Sequence, residues 1–134
     1  MTQEEFFFKV LEIRDTYSVK AEGDKSVVDA WPDEDGSCDI NLRELEIPSN
    51  VTFVNEGDVT LGTDELPENV KFVNDGDVYL YYVESIHSSV EFNNEGEVFL
   101  DSLVGGSFDD WEGNIEGVHN KRLLNLMIKQ GVFI

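Results

Sequence analysis

The stretch Ile47-Pro48-Ser49-Asn50-Val51-Thr52-Phe53-Val54-Asn55-Glu56-Gly57-Asp58-Val59-Thr60-Leu61 decides how this chain folds, because the chain then writes it twice more. The second copy runs from Leu66-Pro67 through Val70, Phe72, Asn74, Gly76 and Val78 to Leu80. The third runs from Ile86 through Val90, Phe92, Asn94, Gly96 and Val98 to Leu100. Matching residues stand 19 and then 20 positions apart, a period that marks a stacked, repeat-built architecture.

Inside each copy the apolar and small residues fall on every second position, from Val51 and Phe53 through Asn55 and Gly57 to Val59 and Leu61. That is strand periodicity. Two arrangements satisfy it. In one, each copy is a coil of two short strands meeting at an Asn-x-Gly corner, with like residues stacked on like. In the other, Asn55-Glu56-Gly57 is a hairpin loop with the glycine left-handed, pairing Phe53 with Val59. The coil explains why the connecting segment also recurs, so the expectation is a mainly β chain with terminal helices, built as a short β-solenoid of about three coils. The alternative is an antiparallel meander of three β-hairpins.

Outward from the repeats, Thr2-Gln3-Glu4-Glu5 has the form of a capping box that opens a short helix carrying Phe6, Phe7, Val10, Leu11 and Ile13. Tyr17, Val19 and Ala21 alternate with polar residues, Glu22-Gly23-Asp24-Lys25 reads as a turn, and Val27 to Trp31 as a returning strand. Cys38-Asp39-Ile40-Asn41-Leu42 lies 19 positions before Gly57-Asp58-Val59-Thr60-Leu61 and is half a repeat. Beyond Leu100 the pattern fades. Phe108 and Trp111 are candidate covers for an exposed end, and Leu123, Leu124, Met127 and Ile128 share one side of a closing helix ended by Gly131. The chain of 134 residues thus divides as one domain, with a helix and hairpin cap over 1–37, repeats over 38–104 and a helix-bearing cap over 105–134.

Charge is the strongest compositional signal. Against 29 Asp and Glu stand 9 Lys and Arg, for a formal net charge of −20. Between Glu44 and Glu116 there are 18 acids and one base, Lys71, so that segment alone carries −17. Such a surface repels nucleic acid and anionic membranes and attracts basic partners. The single Cys38 leaves no intramolecular disulfide and no cysteine cluster for a metal. Glu4 and Glu5 precede the only early apolar run, so no secretory signal is read there, and a cytoplasmic protein is the expectation.

Leu66-Pro67-Glu68-Asn69-Val70, with Val-x-Leu following a glycine, resembles the short leucine-rich-like repeats of bacteriophage proteins of unknown function. Asn120-Lys121-Arg122-Leu123-Leu124-Asn125-Leu126-Met127-Ile128 has the flavour of the ends of such proteins. Ile86-His87 departs from the Leu-Pro pattern, and Asn-x-Gly stands where Gly-Gly is common. The resemblance implies a phage or bacterial origin, hence a host-cytoplasm location if phage-encoded, and a solenoid-like fold; it supplies no catalytic residues.

The sharpest chemical feature is an acid-Gly-acid triplet in each repeat: Glu56-Gly57-Asp58, Asp75-Gly76-Asp77 and Glu95-Gly96-Glu97. Stacked at the usual strand spacing of about 4.8 Å, neighbouring carboxylates repel by about 0.9 kcal/mol in bulk water. One reading is a polar corner whose charge the solvent tolerates. The other is an evenly spaced negative row offered to a basic, nucleic-acid-binding protein in place of a phosphate backbone, which would suit an inhibitor of a host defence or DNA-processing enzyme. Asp64, Glu65, Glu84, Asp109 and Asp110 would extend that face. Calcium would suit hard oxygen ligands, but neither the twelve-residue loop nor the glycine-rich nonapeptide pattern is present. Asn55, Asn74 and Asn94 read as an amide ladder at the corner, and His87 and His119 as surface or cap residues without metal-spaced companions. No nucleophile elbow or phosphate loop occurs. The expectation is a non-enzymatic interaction protein without cofactor; the competing one is a structural or assembly module using the outward Tyr79, Tyr81 and Phe99.

Overall fold

The computed structural model describes residues 2–80, 82–99, 125–126 and 128–130. It is mainly β, with an N-terminal helix and mixed sheets. Helix α1 (Gln3–Ile13) starts where the capping box places it, with Thr2 Oγ1 accepting the Glu5 backbone N–H at 3.1 Å. Its inner side is narrower than the sequence suggests. Phe6 and Val10, one turn apart, are buried and Phe7 is partly so, whereas Leu11 and Ile13 face outward.

Strands β1 (Tyr17–Glu22) and β2 (Lys25–Ala30) form the expected antiparallel hairpin, with Gly23 at φ 69° in its two-residue turn. The hairpin does more than cover an end. Strand β2 also pairs in parallel with β4 (Val51–Phe53), placing Val28 against Phe53, so it forms the first rung of the repeat sheet.

Each repeat supplies strands that pair in parallel with their own copies one period away. Strands β4, β7 (Lys71–Phe72) and β10 (Glu91–Phe92) lie side by side in the first sheet. Strands β3 (Ile40–Leu42), β5 (Val59–Leu61), β8 (Val78–Tyr79) and β11 (Val98–Phe99) form the second. Phe53 therefore sits beside Phe72 and not opposite Val59, as hairpins would require. Strand β3 is the half repeat, pairing Ile40 with Val59 across 19 positions. A further pair, β6 (Glu65–Leu66) with β9 (Ser85–Ile86), runs through the segment read as a connector, so the repeat has three strands where the sequence suggested two.

Register follows from the core, since a one-residue slip would expose every inward side chain. Phe53 and Phe72 stack with ring centroids 5.2 Å apart, and Phe72 and Phe92 at 4.8 Å. Val51, Val70 and Val90 make a second buried column, Val59, Val78 and Val98 a third, and Ile47, Leu66 and Ile86 a fourth. Asn50 and Asn69 turn the chain into β4 and β7 with φ of 64° and 60°, a left-handed corner that asparagine tolerates, and the Asn69 amide donates to Asn50 Oδ1.

Of the closing helix, Asn125, Leu126, Ile128 and Lys129 are helical, and Ile128 is buried in the core. The Asn125 side chain meets the free edge of β10, accepting the Phe92 N–H at 2.8 Å and donating to the Phe92 carbonyl at 2.9 Å. A single amide thus satisfies both backbone groups that another strand would have taken. Phe108, Trp111, Leu123, Leu124, Met127 and Gly131 lie outside the described residues. Among those described, no helix is long and apolar enough to cross a membrane.

Candidate interaction surface

The acid-Gly-acid triplets lie where the first sheet turns into the second, and in the first two the two acids have different tasks. The second acids form a ladder tied to the backbone. Asp39 Oδ1 accepts the Asp58 N–H at 2.8 Å, Asp58 Oδ1 accepts the Asp77 N–H at 2.8 Å, and Asp77 Oδ1 accepts the Glu97 N–H at 2.9 Å. Each carboxylate holds the backbone of the repeat after it. Its cost shows at Asp58, whose carboxyl is raised above its ordinary range by burial; the Asp77 N–H pulls it back down, while the neighbouring Asp39 and Asp77 charges push it further up.

The first acids, Glu56, Asp75 and Glu95, are exposed. They form one outward row, because the flanking strands are paired in register.

Close approach explains the glycine between the two acids. A Cβ at Gly76 would stand 2.9 Å from the carbonyl carbon and oxygen of Gly57 and would also collide with the Asp58 carboxylate. One at Gly96 would meet Gly76 at 2.7 Å and the Asp77 carboxylate. The left-handed glycine of the hairpin alternative is absent at these corners, where the positive-φ glycines among the described residues are Gly23 and Gly36. The asparagine ladder is present: Asn55 Nδ2 donates to the Cys38 carbonyl at 2.8 Å, Asn74 Nδ2 to Gly57 at 3.0 Å and Asn94 Nδ2 to Gly76 at 3.2 Å. Each amide also reaches its own corner, at the Asp58, Asp77 and Glu97 carbonyls. Their Oδ1 atoms are buried without a protein partner.

The supporting acids do not join this row. Asp64, Glu65 and Glu84 lie beyond β5 and β8, at the entry to β6 and β9, where the Asp64 carbonyl accepts the Glu84 N–H at 2.7 Å. Asp109 and Asp110 lie outside the described residues, as does His119. Beside the row on the outer face of the first sheet stand Val54 and Val73, both exposed, a feature that strand periodicity alone already put outward. Lys71, the single Lys or Arg between Glu44 and Glu116, reaches Glu91 at 3.6 Å in an exposed pair of small energetic value.

Other chemistry is sparse among the described residues. No group of three or more His, Cys, Asp or Glu side chains could hold a metal ion. Cys38 is buried, and its thiol is raised first by that burial and then by the charges of Glu56, Asp29, Asp39 and Asp33, which keeps it protonated and a poor nucleophile. His87 Nδ1 accepts the Ser89 N–H at 3.1 Å and meets the Ser89 hydroxyl at 2.8 Å in an exposed turn. Tyr79 and Phe99 stack at 4.9 Å on the outer face of the second sheet, while Tyr81 lies outside the described residues. In comparisons with protein-family models, curated proteins and solved structures, nothing matches this chain.

Proposed function

We propose that this chain is a non-enzymatic interaction protein, a short solenoid of leucine-rich-like coils that presents a DNA-like negative surface to a basic, nucleic-acid-binding protein. The observation that carries the reading is the exposed row Glu56, Asp75 and Glu95, set beside the ladder Asp58, Asp77 and Glu97 by in-register pairing of the repeats. Two acids per coil at a rise of about 5 Å amount to one charge per about 2.5 Å, between the 1.7 Å of duplex B-DNA and the 3.4 Å of one of its strands. A groove lined with Lys and Arg that accepts phosphates meets a comparable charge density here. Folding by itself would not select a row of like charges that repel one another. A phage-encoded inhibitor of a host defence enzyme fits this chemistry, working in the host cytoplasm without cofactor or catalysis.

The test is competition. Labelled duplex DNA bound to each of a panel of bacterial restriction, CRISPR and repair proteins is titrated with the purified chain at about 50 and 200 mM salt. Displacement from at least one member, weakening steeply with salt and lost in the triple variant Glu56→Gln, Asp75→Asn and Glu95→Gln, is the expected result. Failure to displace DNA from every member overturns the reading. Partner binding that ignores salt would favour a structural or assembly module instead.

A further inference from the structure

The acid row is bordered by apolar surface, which a pure imitation of phosphate would not require. Val54 and Val73, each 39% exposed, directly follow the adjacent strands β4 and β7 and are joined in register by the Val73 N–H donating to the Phe53 carbonyl at 2.8 Å. The apolar surface is this pair of valines: Asp29, beside Val54 on the hairpin, and Asn93, one repeat beyond Val73, are exposed polar residues, and Trp31, just past the end of β2, is 69% exposed. We infer that the valine row and the acid row Glu56, Asp75 and Glu95 together seat a basic amphipathic α-helix of a partner protein, its axis parallel to the stacking direction.

Spacing chooses the helix. The Phe53, Phe72 and Phe92 rings stand 5.2 and then 4.8 Å apart and the strands pair in register, so the backbone positions that carry the three acids step by about 5 Å per repeat. Basic residues at i, i+4 and i+7 of a helix lie at 0, about 6 and about 10.5 Å along its axis. Alternate residues of an extended strand lie at 0, about 6.8 and about 13.6 Å and lose register by the third coil. An apolar stripe beside the basic one would rest on Val54 and Val73, a helix-on-groove mode in which charge sets orientation and burial adds affinity. A second copy of this chain is the poorer occupant, since it would bring another charge of −20 to the same place.

This seat rests on the proposed acidic-face function, and its test separates the two. Two fluorescein-labelled peptides of identical composition are titrated with the full chain: one carries arginines at i, i+4 and i+7 with leucines on the adjoining stripe, the other alternates arginine and leucine. The helical pattern is expected to bind at least about tenfold tighter and to gain helicity by circular dichroism on binding. Val54→Ser with Val73→Ser, surface changes that leave the core untouched, should weaken it about tenfold with the salt slope unchanged. Glu56→Gln, Asp75→Asn and Glu95→Gln together should weaken it and flatten the slope. Equal binding of the two peptides, preference for the alternating one, binding without helix gain, absence of binding, or a dimer of the chain abolished by the valine changes would each overturn the seat. If DNA displacement persists in such a case, the charge reading survives and only the helix falls.

Discussion

The Asp58 carboxylate accepts the backbone N–H of Asp77 at 2.8 Å, so an acid that repels its neighbour in the next repeat also holds that repeat in place. Two variants separate these roles. Asp58→Ala removes the acceptor and should cost about 1 kcal/mol. Asp58→Asn keeps an oxygen acceptor while removing one of three successive charges, and should leave stability equal or higher. Urea midpoints of the two variants check this, and an alanine variant as stable as the asparagine one would refute the backbone role.

Burial raises the Asp58 carboxyl above its ordinary value of 3.8, which fixes the sign of a pH effect. Above the raised folded value the charged group penalises the fold in full. As pH falls through that value toward 3.8 the folded state holds the proton more tightly than the unfolded chain, and the penalty is lifted. Stability from this group should therefore rise on mild acidification and be fully regained below 3.8. Urea unfolding between neutral pH and about pH 4 should show a smaller gain for Asp58→Asn than for the native chain.

Gly76→Ala tests the packing of the corner. Its Cβ would meet the Gly57 backbone, which cannot move aside as a flexible side chain could, so a loss of about 2–4 kcal/mol is expected. At Gly36, with φ 79° and open space around it, alanine should cost only about 1 kcal/mol through backbone strain. Thermal melts of the two variants give the comparison.

Asn125→Ala removes both bonds to Phe92 and leaves the edge of β10 with an unmatched donor and acceptor. We expect a loss of about 1–2 kcal/mol and, from the newly open strand edge, concentration-dependent association. Sedimentation at rising protein concentration measures the second effect.

The threefold phrase favoured like residues stacked on like and left three antiparallel hairpins as the alternative; the parallel pairing of β4 with β7 and of β7 with β10 decided between them. The hairpin and the Thr2 cap were legible from local turn and capping residues, and the half repeat at Ile40 from the period. The third strand of each repeat was illegible, since Glu65–Leu66 and Ser85–Ile86 are two residues long and too short to show alternation. The reason for glycine at the corner was hidden as well, because the atoms it must avoid belong to residues 18 to 20 positions earlier. The division of labour between Glu56 and Asp58 came from tertiary structure alone. Both are acids beside one glycine, and only the stacked backbone decides which carboxylate accepts an amide N–H and which remains exposed.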